Sequence, residues 1–260
     1  MTESPLGGLA VDPAFDSQLG SSMEDVERYL RSTVVSDYPF VTETSRHLVD
    51  AGGKRFRPLL TLLASHFGPR PANDDVIKAA VVVELTHLAT LYHDDVMDEA
   101  QLRRGAPSAN ARWDNSVAIL TGDFLFARAS DILADLGPEA VRIQAQTFER
   151  LCTGQIREAV GPDDGIDPVK HHLQVLSDKT GSLIATAGRF GAMMAGAEAS
   201  TIDTLSRFGE AIGVAFQLAD DIVDITSDAE QSGKLPGTDL REGVPTLATL
   251  IAQAMSLNTQ

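Results

Sequence analysis

The stretch LYHDDVMDEAQLRRG, residues 91–105, concentrates acidic side chains within about one helical turn. On an α-helix Asp94 and Asp98 point in the same direction, and Asp95 lies beside them. Two carboxylates about 5 Å apart repel each other by roughly 3 kcal/mol at an effective dielectric constant of about 20, so they favour a bound cation. Oxygen ligands without a nearby cysteine favour Mg²⁺ or Ca²⁺ over zinc. Taken alone, the stretch is equally consistent with a solvated helix end whose two arginines act as counterions.

The sequence AFQLADDIVDITSD, residues 215–228, repeats the acidic spacing in a second predicted helix. Asp220, Asp221 and Asp224 form the repeat. Gln217 lies one turn before Asp220 on the same face. Two such turns facing each other would form an acidic cleft, and Mg²⁺ held there keeps coordination positions that diphosphate oxygens can fill. The two motifs together therefore predict a doubly anionic ligand bridged by metal.

Basic residues cluster in two places, although the chain as a whole is acidic. Lys and Arg number 21 against 37 Asp and Glu, a formal charge of −16. The segment AGGKRFRP, residues 51–58, supplies Lys54, Arg55 and Arg57, and the segment LRRG supplies two more arginines beside the first acidic motif. Arginine forks match phosphate oxygens, and lysine adds a point charge. Either segment alone is most simply a basic surface turn, but together with the acidic motifs they predict two diphosphate sites.

The composition bounds the class of protein. A chain of 260 residues with 43% hydrophobic residues is long enough to bury a large core. Its negative charge should repel nucleic acid and anionic lipid. Cys152 is the only cysteine, which excludes an internal disulfide and fits a reducing compartment. Since neither a signal peptide nor a run of about 18 apolar residues is evident, we expect a soluble cytoplasmic protein without a transmembrane segment.

Helical periodicity dominates the chain, and strand signals are nearly absent. Gly- and Pro-bearing joints separate the helices. We predict an all-α, single-domain helical bundle over residues 21–260, after a flexible leader over residues 1–20. The apolar stretch AAVVVELTHLATLYH is expected to be a central helix. The predicted helices lie near residues 22–35, 40–51, 56–67, 74–99, 115–136, 138–160, 168–179, 181–196, 201–226 and 246–256.

Several short motifs occur in order between Ser22 and Leu250: GGKRFRP, HDDVMDEAQLRRG, GD at 122–123, GQ at 154–155, KTG at 179–181, FQLADDIVD and GTDLREGVPTL. In this combination the chain resembles the trans-isoprenyl diphosphate synthases, or polyprenyl synthetases. The resemblance implies a helical bundle of the isoprenoid synthase type, a homodimer, and Mg²⁺ as cofactor. It also implies condensation of isopentenyl diphosphate with an allylic diphosphate to give a trans-polyprenyl diphosphate.

The resemblance further implies roles for individual residues. The matches to the Mg²⁺ ligands and the rest of their motifs are Asp94, Asp95, Asp98, Asp220, Asp221 and Asp224. The matches to the isopentenyl diphosphate site are Lys54, Arg57, His87 and Arg104. The matches to groups on the allylic diphosphate are Arg103, Lys179 and Lys234. The expected catalytic residues, which flank the reacting carbons or the leaving group, are Lys179, Thr180 and Gln217.

The resemblance also bears on product length, because bulky side chains just upstream of the first aspartate motif stop short products in this family. Thr90 and Ala89 stand four and five residues before Asp94, and neither is aromatic. We therefore expect a medium- or long-chain product. The alternative is that Ala89 only permits close packing of helices.

Two other functions are consistent with parts of the sequence. His93 immediately precedes the first motif, as in an HD-type metal phosphohydrolase, but that hypothesis leaves the second acidic motif unexplained. A noncatalytic or regulatory partner subunit of a prenyl synthase is the second alternative. It follows from the few residues after Asp224, since we expect the usual C-terminal helices of the family to be missing.

Overall fold

The computed structural model describes residues 5–6, 11–226 and 246–257. The chain divides into two compact units. The first unit comprises residues 1–144 and 186–206, and the second comprises residues 145–185 and 207–260. The sequence predicts a single-domain helical bundle, and the helices of this bundle group into the two units. The division falls inside continuous helices, where hydrophobic periodicity carries no boundary signal.

The all-α prediction is confirmed. The helices within the first unit are α1 (Pro13–Thr33), α2 (Pro39–Asp50), α3 (Phe56–Ser65), α4 (Asp74–Met97), α5 (Ala109–Arg112) and α6 (Asn115–Leu136). An antiparallel hairpin, β1 (Leu102–Arg103) with β2 (Ala106–Pro107), lies between α4 and α5. Three helices cross the boundary between the two units: α7 (Pro138–Val160), α9 (Ser182–Met194) and α10 (Ala199–Thr226). The second unit also contains α8 (Pro168–Leu176), a π-helical turn (Ser177–Gly181) and α11 (Leu247–Leu257).

The first helix begins earlier than predicted. α1 starts at Pro13, so residues 13–20, which we assigned to the flexible leader, are helical. Asp12 caps this helix, because its carboxylate accepts a hydrogen bond from the Ala14 backbone N–H at 2.7 Å. A proline at the first helical position has no N–H that needs a partner. The glycines and prolines of this segment conceal the helix start from a reading of periodicity alone.

The core helix of the first unit is α4, as the sequence predicts. It packs against α1, α3, α5 and α6, and side chains such as Val81, Val82 and Leu85 are fully buried. By length and composition this helix could cross a membrane, but 67% of its apolar window is buried inside the unit. That burial is what a packed core helix shows.

Three local features escape the sequence analysis, and the first is the short helix α5 (Ala109–Arg112). The strands β1 and β2 are two residues long each, which is too short for an alternating pattern to register. The predicted helix over 168–179 ends as α8 at Leu176 and passes into the π-helical turn. A π-helical turn has no distinct hydrophobic period over five residues, so the sequence reads as uninterrupted helix.

Candidate active site

The first acidic motif lies at the C-terminal end of α4. Asp94 and Asp95 lie in its last turn, and Asp98 is the C-cap residue. The Asp98 backbone N–H donates to the Asp94 carbonyl at 2.8 Å. Because the C-terminal end of a helix carries partial negative charge, carboxylates at this end are unfavourable without a nearby cation. The helix itself therefore adds to the negative potential of the motif.

Asp95 is the buried member of this motif. No part of its surface is exposed, and Arg103 Nε donates to Oδ1 at 2.6 Å. Burial raises the pKa of Asp95, and Arg103 opposes that rise. Oδ2 has no hydrogen-bond partner within the described part of the chain. Arg103 is therefore a local counterion of one carboxylate oxygen, while the other oxygen is buried without a described hydrogen bond.

The hairpin also positions the neighbouring arginine. Arg104 and Gly105 turn the chain with left-handed φ values of 54° and 76°, and this backbone conformation strains a non-glycine residue. Arg104 Nη1 donates to the Leu48 carbonyl at 3.0 Å and to the Gly52 carbonyl. The guanidinium lies against Gly53, where a Cβ atom would come within 2.8 Å of Arg104 Cζ. The Gly-Gly turn therefore leaves the room that Arg104 occupies.

Arg55 is a structural arginine rather than a free anion-binding group. It is buried and donates to Glu27 and, at 2.9 Å, to Glu84. Its Nη2 donates to the Val49 carbonyl at 2.9 Å. Glu84 on α4 is only 2% exposed, so its charge depends on this arginine. The positive charge of Arg55 is thus satisfied within the unit.

Arg57 and His87 form the less compensated part of the same cluster. Arg57 Nε is buried, and no described residue provides it with a hydrogen bond. Burial lowers the pKa of Arg57, and Glu84 opposes this effect. The pKa of His87 lies well below its usual value, first because of burial and then because of Arg57 and Arg104. His87 is therefore neutral at pH 7, and a ring N–H can donate to an anion.

The second acidic motif lies within α10, in the second unit. Asp220 is exposed and Asp221 is buried. Gln217 Nε2 donates to Asp221 Oδ1 at 3.4 Å, while Asp221 Oδ2 lacks a hydrogen bond from any described residue. Asp224 belongs to the same helix, and its side chain lies outside the described part of the structure. As in the first motif, one carboxylate oxygen is buried without a described hydrogen bond.

The predicted catalytic residues of the second unit lie close together. Lys179 and Thr180 belong to the π-helical turn. The Thr180 hydroxyl donates to Gln217 Oε1 at 3.3 Å, so the structure brings this predicted pair together. Lys179 Nζ is paired with the Glu158 carboxylate on α7. Lys234, the remaining predicted lysine, lies outside the described residues.

His172 is a neighbour of the second motif that the sequence analysis does not single out. It is buried on α8, and its Nε2 lies 3.7 Å from Asp221 Oδ2. This distance is too long for a hydrogen bond. Its position seven residues before Lys179, and so on the same face of the predicted helix, is the signal that could have found it.

The donor set of both motifs fits a hard divalent cation. Each motif offers carboxylate oxygens, including one buried oxygen without a hydrogen bond from the described residues, and such ligands suit Mg²⁺ or Ca²⁺. No cluster of three or more His, Cys, Asp or Glu side chains close enough for one metal ion is present in the described ranges. Neither motif alone therefore supplies three such ligands to one metal ion from its described side chains.

Comparison with known proteins identifies the family. Residues 38–260 match the model described as polyprenyl synthetase. The nonaprenyl diphosphate synthase of Mycobacterium tuberculosis (strain ATCC 25618 / H37Rv) is 52% identical over 241 residues, which cover 93% of this chain and 72% of the relative. The chain belongs to the polyprenyl synthetase family.

A solved structure supports the same assignment. The crystal structure of geranylgeranyl pyrophosphate synthase from Corynebacterium glutamicum, complexed with calcium and isoprenyl diphosphate, superposes with a TM-score of 0.83 at 54% identity. The match covers 93% of this polyprenyl synthetase and 73% of that chain. A further relative, heptaprenyl diphosphate synthase component 2 of Geobacillus stearothermophilus, is 41% identical over 92% of this chain and 75% of its own length. This polyprenyl synthetase is therefore a prenyltransferase.

The family assignment replaces the HD-type phosphohydrolase hypothesis. His93, on which that hypothesis depended, lies with its Nε2 3.1 Å from the Ile119 carbonyl and 3.4 Å from Asp123 Oδ1. Both partners belong to α6. His93 therefore joins α4 to α6 within the first unit of this polyprenyl synthetase.

Proposed function

We propose that this prenyltransferase condenses isopentenyl diphosphate with an allylic diphosphate, with Mg²⁺ as cofactor, and releases a trans-polyprenyl diphosphate. The observation that carries the proposal is the cationic cluster of the first unit. Arg57, Arg104 and the neutral His87 are electrostatic neighbours in a chain with a formal charge of −16. Such a local excess of positive charge in an acidic protein indicates an anionic substrate.

The side chains that would hold Mg²⁺ are Asp94, Asp95, Asp98, Asp220, Asp221 and Asp224. When bound, Mg²⁺ neutralises the diphosphate of the allylic substrate and makes it a better leaving group. Asp95 and Asp221 each contribute a buried oxygen without a hydrogen bond from the described residues. In the proposed complex each motif contributes carboxylate oxygens to Mg²⁺ bound with the allylic diphosphate.

Isopentenyl diphosphate would bind to Lys54, Arg57, His87 and Arg104. Arg57 supplies a buried Nε that lacks a described partner, and His87 donates as a neutral ring. Arg104 holds backbone carbonyls with Nη1, so its contribution to the substrate is its charge and its remaining N–H groups. Arg55 supports the Gly-Gly turn and would not contact the diphosphate.

The allylic substrate would be bound by Arg103, Lys179 and Lys234. Thr180 and Gln217 would flank the carbon from which the diphosphate departs. Departure breaks the C–O bond and leaves a delocalised allylic cation, which apolar surroundings protect from water. The double bond of isopentenyl diphosphate then attacks, a carbon–carbon bond forms, and the released diphosphate accepts the proton. No side-chain base is required.

A medium- or long-chain product fits the relatives named for nonaprenyl and heptaprenyl diphosphates. Ala89, however, is fully buried, and a Cβ atom on Gly122 of α6 would come within 3.1 Å of its carbonyl oxygen. The backbones of α4 and α6 therefore approach each other closely at Ala89, which leaves little room for a larger side chain there. Thr90 is half-buried and stands one turn before Asp94 on the same face. It is the better position at which to test the length of the product.

We further propose that the protein acts in the cytoplasm as a homodimer. Ile119 and Leu120 on α6 are 42% and 66% exposed, and adjacent apolar side chains on a helix surface favour burial in a subunit interface. Sedimentation of the unaltered chain and of Leu120→Asp tests this assembly. A monomer in both samples would contradict it.

A second candidate function is catalysis only in complex with a different subunit. The name of the Geobacillus relative, heptaprenyl diphosphate synthase component 2, supports this candidate because it implies another component. Under this candidate the isolated chain is inactive and gains activity when its partner is added.

Incubation with labelled isopentenyl diphosphate, Mg²⁺ and each allylic primer, followed by separation of products by length, tests the proposal. We expect products that extend the primer by successive five-carbon units. Thr90→Phe should shorten the product, whereas Ala89→Phe should mainly destabilise the α4–α6 packing. Absence of product from every primer would contradict the proposal, and product only after addition of a partner subunit would favour the second candidate.

A further inference from the structure

The π-helical turn Ser177–Gly181 separates α8 from α9 and carries Lys179 and Thr180. A π-helical turn is rare and is less favourable than continuous α-helix, and such turns are frequent at functional sites. The turn changes the directions in which Lys179 and Thr180 point relative to those of a continuous α-helix. Some feature of the second unit must therefore hold this turn in place.

Glycines on the flanking helices allow the turn to be held tightly. A Cβ atom on Gly154 of α7 would come within 2.8 Å of the Lys179 backbone nitrogen. A Cβ atom on Gly213 of α10 would come within 2.7 Å of Gly181 Cα. Both distances are shorter than real Cβ contacts, so the backbones meet only because these residues are glycines. The turn is thus packed between α7 and α10 inside the second unit.

Asp178 is the charged residue at the centre of this contact. It is 4% exposed, and Arg150 Nε donates to its Oδ1 at 3.0 Å. Gln174 Nε2 donates to Oδ2 at 3.0 Å, and Arg157 donates to the same oxygen. Both carboxylate oxygens of Asp178 are therefore engaged, and the residue immediately precedes Lys179.

Arg150 extends the network to α10. Its Nη2 donates to Glu210 Oε1 at 2.6 Å and its Nη1 to Oε2 at 3.3 Å. The same Nη2 donates to the Ser177 hydroxyl oxygen at 3.0 Å. This hydroxyl in turn donates to Glu210 at 2.6 Å. Every nitrogen of the Arg150 guanidinium is thus bonded either to the turn or to α10.

The contact with α10 lies in register with the predicted site. Glu210, Gly213, Gln217 and Asp221 follow one another at helical spacing along one face. Glu210 is fixed by Arg150, and Gln217 meets the Thr180 hydroxyl two turns further along. A shift of the turn along α10 would break both contacts together.

We propose that Arg150, Asp178 and Glu210 are positioning residues that hold the π-helical turn in register with α10. They do not touch substrate. Their effect is to present Lys179 and Thr180 to the allylic diphosphate. This inference rests on the proposed function, since it assigns the allylic substrate to Lys179 and Thr180.

The test compares Arg150→Lys and Asp178→Asn with Arg142→Lys. Arg150→Lys keeps the charge but loses the fork that joins the turn to α10. Asp178→Asn keeps the side-chain shape but replaces one accepting oxygen with an NH₂ group. This group would face N–H donors that now donate to the carboxylate. Arg142 is an exposed arginine on the same helix, paired only with Glu139 in the described contacts, and provides the matched control. Each protein is measured for kinetics, pyrophosphate binding, and amide hydrogen exchange over residues 176–185.

We expect kcat to fall about tenfold in Arg150→Lys and Asp178→Asn, because small misplacements of reacting groups cost that much or more. KM for isopentenyl diphosphate should stay within about twofold, and exchange should rise only near the turn. Arg142→Lys should match the unaltered chain. Faster exchange with unchanged kcat would show a merely structural network and would overturn the inference, as would unchanged exchange and kcat in both variants.

The measurement of pyrophosphate binding distinguishes failure of this inference from failure of the proposed function. An unaltered chain without turnover would count against the proposed function. In that case about tenfold weaker pyrophosphate binding in Arg150→Lys, with unchanged binding in Arg142→Lys, would still support the positioning role. Equal binding in all proteins would overturn it.

Discussion

The two aspartate motifs share one spacing, yet their surroundings differ. The first motif ends α4, and Asp95 is bound by Arg103 at 2.6 Å. The second motif lies within α10, and Asp221 receives a 3.4 Å contact from the amide of Gln217. Among the described ion-pair contacts, the basic group beside Asp221 is His172, at 3.7 Å. A guanidinium partner thus belongs to the first motif, and an amide partner belongs to the second.

This difference shows that two motifs with the same spacing need not have the same hydrogen-bond partners. The first motif lies at a helix C-terminus, where the helix dipole adds negative potential, and Arg103 offsets part of it. An amide offsets charge less than a guanidinium does. We therefore expect the second motif to depend more strongly on Mg²⁺, although both are needed for turnover.

The largest expected effect comes from removing one carboxylate of either motif. Asp94→Asn and Asp220→Asn should each lower kcat by about 10²-fold or more, because each removes a charge that positions the metal and the diphosphate. The helical circular dichroism spectrum should be unchanged. Asp135→Asn, at an exposed residue paired with Lys78, is the control. Normal turnover at saturating substrate in both motif variants would refute the two-motif mechanism.

A smaller effect should separate the two diphosphate sites. Arg57→Ala should raise KM for isopentenyl diphosphate about tenfold, and Arg103→Ala should act mainly on the allylic substrate. Arg103→Ala also leaves Asp95 buried without its counterion, so it should lower the melting temperature measured without Mg²⁺. The assignment is wrong if both variants change the kinetics of the same substrate equally.

Replacing the imidazole beside the second motif should have a milder effect. His172→Asn should raise the Mg²⁺ concentration needed for half-maximal activity about threefold to tenfold, because neighbours of ligating carboxylates tune metal affinity. His171→Asn, at the adjacent residue whose ring contacts the Arg157 carbonyl, is the control. Mg²⁺ titration of both variants distinguishes them. An unchanged half-saturation in His172→Asn would remove His172 from the site.

The smallest expected effect concerns pH and the first unit. Because the folded chain lowers the pKa of His87, the unfolded chain takes up a proton first as pH falls below about 6.5. The free energy of unfolding should therefore decrease on acidification from pH 7 to pH 5, by up to about 1.4 kcal/mol per pH unit from this residue. His87→Asn should show a shallower dependence in urea unfolding. Parallel pH profiles for the two proteins would contradict a half-buried, neutral His87.

Much of the fold follows from local sequence. Capping residues, periodicity and glycine or proline joints place α6 and α7 at their observed bounds and most other helices within a few residues. The start of α1 at Pro13 and the division into two units do not follow. The first depends on one capping side chain, and the second falls inside helices that look continuous in sequence.

The residue types of the candidate site are also determined by sequence, because the spacing of carboxylates within one helix is a local property. Their partners are not. The segment KRFR does not reveal that Arg55 is paired with Glu27 and Glu84, while Arg57 Nε has no hydrogen-bond partner among the described residues. These contacts join residues far apart in the chain, so only tertiary packing decides which arginine is paired with carboxylates inside the unit.

The π-helical turn is a second feature that depends on tertiary contacts rather than on local sequence. The letters SDKTG are compatible with ordinary helix, and the sequence by itself identifies Lys179 and Thr180 only as candidates. Tertiary structure places Gly154 and Gly213 against the turn and links Arg150 to it. Sequence determined which groups are present and how they are spaced along each helix. Packing decided which of them meet, because burial and ion pairing depend on neighbours that helical periodicity does not specify.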